Sequence, residues 1–389
     1  MTKAAAWWQR LKRSRTRQEW LLFGGVVVCL GIFLFIATTL TPYRPPDQQA
    51  SFYEARSSDQ TSQYQRVRIL QAPAGGKTQG ELLDGNRTGE QVEVRVGTSG
   101  PGVSLKKGDV IFAIESLMDK ANDRGSVSYV DRVRLNALAV LLALFVALVV
   151  FVSDRRGALS IAGLLLSILV IGWFIIPMII KGHNAFLITL IGSYVIAIAS
   201  VLVAHGRRRR TYIAIACILA VLTLVALLAW IATWLVSLTG IADETAFYLA
   251  IDNQALDMRG VVIGGIVIAS LGALDDIVTT QVATVEELHR SDQKQSRAVL
   301  AKAASSVGNE HITSLVNTLA LAYVGASLPF IIMMMSRSSV SPLITLNGEY
   351  IATEITRTLV ASIGLVVAVP LSTFVATMIY TRTTHRKVS

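Results

Sequence analysis

Apolar residues in this chain gather in runs of eighteen or more, broken by short polar loops. An α-helix rises about 1.5 Å per residue, so about 20 such residues cross a hydrocarbon core roughly 30 Å thick. The runs fall near 20–40, 135–152, 158–180, 185–204, 211–238, 260–280, 312–335 and 357–380, and predict eight helical spans. Only 16% of residues are charged, against about 25% in soluble proteins, which excludes a soluble enzyme. The first run follows Lys12, Arg13, Arg15 and Arg17 as a signal sequence would. Its 21 residues exceed a signal core and no small-x-small site follows, so it reads as an uncleaved anchor. Cys29 and Cys217 both lie inside apolar runs and offer neither a disulfide framework nor a cysteine metal site.

Lys and Arg residues set the expected orientation. Six precede Trp20, two are Arg155 and Arg156, four are Arg207 to Arg210, four lie across 290–302 and three follow Tyr380. The short loops on the other side hold only Lys181, Arg259, Arg337 and Arg357. By the positive-inside rule both termini are cytoplasmic. The net charge of +10 therefore reflects topology and lipid headgroups, with no nucleic-acid role. The layout is a basic cytoplasmic segment 1–19, an anchor 20–40, an extracytoplasmic domain 41–134, a seven-helix domain 135–380 and a cytoplasmic tail 381–389. The outer domain opens on Pro42, Pro45 and Pro46, then alternates as strands do at Val92, Val94 and Val96 and again across 110–114. The fold class is thus a polytopic all-α membrane bundle with a small β-rich outer domain, a barrel or a sandwich.

Ionisable groups inside spans are expensive and become the first functional candidates. Asp275 and Asp276 lie about 23 Å along the sixth span from Gly260. Gly265, Ala269, Gly272, Asp276 and Thr279 share one face, where small residues permit a close helix neighbour. A shorter span, with both aspartates at headgroup level, is the alternative. In the seventh span Glu310, Thr313, Ser314 and Asn317 reach a depth comparable to Asp276. With Asp276 and Asp275 they are expected to form an oxygen-rich site for a cation or a proton relay, or else helix-to-helix hydrogen bonds. Glu354 and Arg357, spaced i, i+3 in the eighth span, are a candidate ion pair acting as clamp or gate. Pro329 and Pro370 remove backbone donors and mark candidate helix breaks. Asp243, Glu244, Asp252 and Asp257 crowd one outer loop and favour a cation over an anion. No cofactor is expected, and a metal is left open.

Four strings carry a resemblance: 131–138 (DRVRLNAL), 259–276 (RGVVIGGIVIASLGALDD), 317–329 (NTLALAYVGASLP) and 347–370 (NGEYIATEITRTLVASIGLVVAVP). Over roughly residues 105–380 the chain resembles the YibE/F-like family of bacterial multi-pass membrane proteins. The resemblance implies a bacterial plasma membrane, an acid after the Gly-rich run at Asp276, with Asp275 a less typical neighbour, and the Glu and Arg at Glu354 and Arg357. It implies no defined activity. The leading expectation is a permease or channel-like transporter for an ion or small solute, and not an enzyme. A noncatalytic receptor or envelope assembly factor using the outer domain is the alternative. An intramembrane hydrolase fits less well, because paired catalytic acids belong on different helices. Expected partners are the lipid bilayer and a small ion or solute, with a homo-oligomer or a second membrane subunit left open.

Overall fold

The computed structural model describes residues 63–85, 87–96, 104–116, 126–336 and 341–388. The expected first span at 20–40 lies outside them. The chain divides into two compact units between Ala158 and Leu159.

In the first unit, β1 (Gln63–Ile69), β2 (Lys77–Leu82), β3 (Gln91–Arg95), β4 (Val110–Ser116) and β5 (Ser126–Arg132) close into a barrel in the order β1-β2-β3-β5-β4. All neighbours are antiparallel except β3 and β5. Successive side chains of a strand point to opposite faces, so Val67 and Ile69, Leu82, Val94, Ile111 and Ala113, and Val127 meet inside as one buried cluster. The other face is solvated and carries ion pairs. Arg66 grips Asp84 through Nε and Nη2 at 2.8 and 2.7 Å, and Lys77 pairs with Glu93 at 2.7 Å. Closure removes free sheet edges, which suits a barrel with few strands and a small core.

Helix α1 (Leu135–Val170) corrects one expectation. Spans 135–152 and 158–180 are joined by continuous helix, with no loop at Arg155 and Arg156. The helix nevertheless bends sharply there. A methyl on Gly157 would stand 2.5 Å from the carbonyl oxygen of Val149, whereas eight residues separate by about 12 Å along a straight helix. The residues between are helix-compatible, and the missing Cβ of Gly157 leaves room for the carbonyl.

The second unit continues through a π-helical stretch (Ile171–Ile175) and α2 (Ile176–Ile180). It is built from α3 (Ala185–His205), α4 (Arg209–Leu235), the short α5 (Glu244–Asp252), α6 (Met258–Ser291), α7 (Arg297–Ser336), the short α8 (Pro342–Leu346) and α9 (Glu349–Val388). Among the described residues seven stretches are long and apolar enough to cross a membrane, by length and composition. Helix α6 is central and packs against α3, α4, α7 and α9. Ile218, Leu222 and Val225 of α4, Leu274 and Val278 of α6, and Leu365 and Val369 of α9 form one buried core. Small residues set its spacing: a methyl on Gly264 would meet Thr189 Oγ1 at 2.5 Å, and one on Gly364 would collide with Val225. Pro329 and Pro370 both sit inside continuous helices, so the expected breaks are not present as interruptions.

Loops gather at two ends. One end holds the α2–α3 turn, the segment around α5 and the start of α9. There Asn253 Nδ2 donates to the Ile180 carbonyl at 3.0 Å, and Glu349 accepts from the backbone N–H groups of Thr239 and Gly240 at 2.6 and 2.8 Å. The opposite end holds the α3–α4 and α6–α7 turns.

Candidate functional site

Of the two adjacent aspartates, Asp275 is the one turned toward the bundle. Its Oδ2 accepts a hydrogen bond from Ser200 Oγ of α3 at 3.0 Å. Ser200 in turn faces Gly163 of α1, where an added methyl would stand 3.6 Å from the Ser200 Cα. Two helices, α3 and α6, therefore meet at this carboxylate, and α1 passes Ser200 at Gly163. Asp276, turned by about 100°, is exposed within this chain.

The polar residues of α7 do not join Asp276. Gly308 is buried, and Ile312 and Leu319 lean on the core. Glu310, Ser314 and Asn317 are turned by roughly 140–160° from Ile312, and all three are exposed. Depth along the helix was readable from the sequence; the rotation of α7 about its axis follows from which stripe packs. The small-residue stripe of α6 is corrected in the same way. Gly272 is exposed and an added Cβ there would meet nothing within 4 Å, while the close approach is made at Gly264 on the neighbouring stripe. Among the described residues no group of three or more His, Cys, Asp or Glu is placed to hold a metal ion.

Toward the α5 end of the bundle, Glu354, Arg357 and Gly265 do come together. Arg357 Nη1 donates to Glu354 Oε1 at 2.7 Å, with the side chains 27% and 22% exposed, so the pair is partly shielded. The guanidinium lies over α6 at Gly265, its Nη2 3.9 Å from where a Cβ would be. Beside the pair, α7 and α9 line a half-open pocket of about 210 Å³ whose exposed wall is almost wholly apolar, with Val324, Ile355 and Leu359 among its residues. Gly265 and Asp275 are ten residues apart on α6, about 15 Å along its axis. The carboxylate held by Ser200 and the ion pair of α9 thus lie against different halves of the central helix α6.

Several polar residues escaped sequence reasoning. Ser200 is one; in an apolar run a lone serine more often hydrogen-bonds its own helix. Gln281, 2% exposed, donates to the Ala304 carbonyl at 2.9 Å and to Thr373 Oγ1 at 2.7 Å, and so ties α6 to α7 and α9. A single glutamine within an apolar stripe was its only signal. Arg210 pairs with Glu286 at 3.4 Å between α4 and α6. Two of the four loop acids have local work: Asp243 caps α5 by accepting from Ala246 N at 2.7 Å, and Asp257 caps α6 by accepting from Gly260 N at 3.0 Å. Their carboxylates are committed to helix starts as well as to the field of the loop.

The family model for YibE/F-like proteins matches residues 141–382. The match takes in Asp275, Ser200, Glu354 and Arg357 and begins after the barrel. No curated protein and no solved structure matches the chain.

Proposed function

The chain belongs to the YibE/F-like family, and from that premise we propose that it is a multi-pass protein of the bacterial plasma membrane that transports a small cation. The observation that carries the reading is the Asp275 carboxylate, turned into a bundle of membrane-length helices with Ser200 as its hydrogen-bond donor. Placing an aspartate at the centre of a span costs about 2.5–3.5 kcal/mol on insertion scales. A group so expensive is a candidate for work that an apolar residue cannot do, such as taking up and releasing a proton or cation. The positive-inside bias of the basic loops supports a cytoplasmic side for the α3–α4 and α6–α7 turns. Asp275 then serves the cytoplasmic half of the path, and the Glu354–Arg357 pair controls the outer half. The barrel is extracytoplasmic on this reading, and no catalytic step is assigned to the chain.

The test is ion flux into liposomes containing the purified full chain, across a panel of inorganic cations, organic cations and small acids. Cation flux above that of protein-free vesicles is expected. Flux restricted to anions, or none with any solute, would overturn the proposal.

A further inference from the structure

Helix α5 sits where the spans end. Its nine residues rise about 13 Å, too little to cross a hydrocarbon core roughly 30 Å thick. Both of its flanks are pinned to span ends. Before it, Thr239 and Gly240 donate to Glu349 at the start of α9; after it, Asn253 donates to the Ile180 carbonyl at the end of α2. Its level in the bundle is therefore fixed. Phe247 and Ile251, spaced i, i+4 on one face, are 51% and 53% exposed. Thr245 and Asp252 lie on the opposite side, with Leu249 beside them. The described tryptophans gather toward the same end of the bundle. Trp230 and Trp234 lie in the last turns of α4 and Trp173 lies in the π-helical stretch before α2, and all three are exposed. Segment 236–258 carries Asp243, Glu244, Asp252 and Asp257 and no lysine or arginine.

We propose that the face of α5 bearing Phe247 and Ile251 lies in the interfacial layer of the bilayer, between headgroups and acyl chains, and so seats the outer end of the bundle. An amphipathic interfacial helix sinks its apolar face about 5–10 Å into that layer. Tryptophan favours the same layer, because an indole has an apolar body and a polar N–H. The exposed tryptophans of α4 and of the stretch before α2 therefore put the layer near the level at which α5 is pinned. A second protein chain is the competing occupant. A band of exposed aromatic and aliphatic side chains spread over three elements fits a continuous lipid layer better than one local contact. Interfacial helices that seek anionic lipid carry Lys and Arg on their polar face, whereas α5 carries Glu244 and Asp252 and no base. The lipid is therefore engaged through its apolar boundary, and a zwitterionic headgroup suffices. This inference rests on the membrane placement proposed above and not on the transport of any solute.

The test is power-saturation EPR of nitroxide labels on the full chain in phosphatidylcholine liposomes, with oxygen as the apolar relaxant and a nickel chelate as the aqueous one. Labels are placed singly at Phe247→Cys, Ile251→Cys and Thr245→Cys in a background carrying Cys29→Ser and Cys217→Ala. Leu227→Cys, on the exposed side of α4, is the reference for acyl chains. All four labelled side chains are exposed, so their replacement removes little packing, and the two positions on the apolar face give independent readings. The oxygen-to-nickel ratio at Phe247→Cys and Ile251→Cys should exceed that at Thr245→Cys about fivefold or more, and should not depend on added phosphatidylglycerol. Equal ratios at the three α5 positions, with Leu227→Cys still rich in oxygen, would overturn this inference alone. Shielding of Phe247→Cys and Ile251→Cys from both relaxants would overturn it too, and mark a face covered by protein. Lipid contact that appears only with phosphatidylglycerol would overturn the zwitterionic assignment. Leu227→Cys open to the nickel chelate would sink the membrane placement itself.

Discussion

Asp84 shows how a single residue can carry charge chemistry outside the helical bundle. Both oxygens of its carboxylate are engaged by the Arg66 side chain, and Oδ2 also accepts from the Arg66 backbone N–H at 3.0 Å. These hydrogen bonds to the Arg66 guanidinium hold the carboxyl below its usual range. A carboxyl with a depressed folded value stabilises the fold above its unfolded pKa, about 3.9, and loses that contribution as pH falls through the folded value. Asp84→Asn should therefore lower the barrel's stability at neutral pH, where the charged carboxylate contributes, change it little well below about pH 4, and so flatten the acid end of the unfolding profile. Circular dichroism of the full chain against pH checks this; an unchanged acid limb would contradict it. At the same scale, Asp275 and Asp276 show what a sequence withholds. Their depth was legible because helical rise is constant. Which one faces inward depends on the packing of α3, which the identity of neighbouring residues does not encode locally.

At the scale of elements, the strands and spans were readable from period. Val92, Val94 and Val96 predicted a strand, and β3 lies there, with Val94 fully buried. Segment ends were less readable: nothing in Ser153 to Gly157 announces that helix runs on where a loop was expected. Helix faces were also misjudged, since Gly265 and Gly272 share a stripe yet only Gly265 receives a neighbour. Packing evidence now separates the glycines by consequence. Leucine at Gly264 must displace Thr189, and overpacking of this kind costs about 1–3 kcal/mol, whereas leucine at Gly272 enters open space within the chain. Gly264→Leu should lower the thermal midpoint of the detergent-purified protein clearly and Gly272→Leu should not. Equal losses would mean that the Gly272 face is covered by another chain.

For the whole molecule, the arrangement of polar groups along α6 decides the account. A carboxylate held by Ser200 lies about 15 Å along α6 from Gly265, where the Glu354–Arg357 pair of α9 sits, and the buried core around α6 is mainly apolar. The most direct test of its central claim is cation flux through liposomes carrying Asp275→Asn or Asp276→Asn, each reconstituted at equal density. Asparagine at 275 keeps the volume and an oxygen for Ser200 while removing the charge, so folding should persist. The account predicts at least a tenfold loss of flux for Asp275→Asn and less than a twofold change for Asp276→Asn, which is exposed. Undiminished flux with Asp275→Asn, or loss confined to Asp276→Asn, would contradict it.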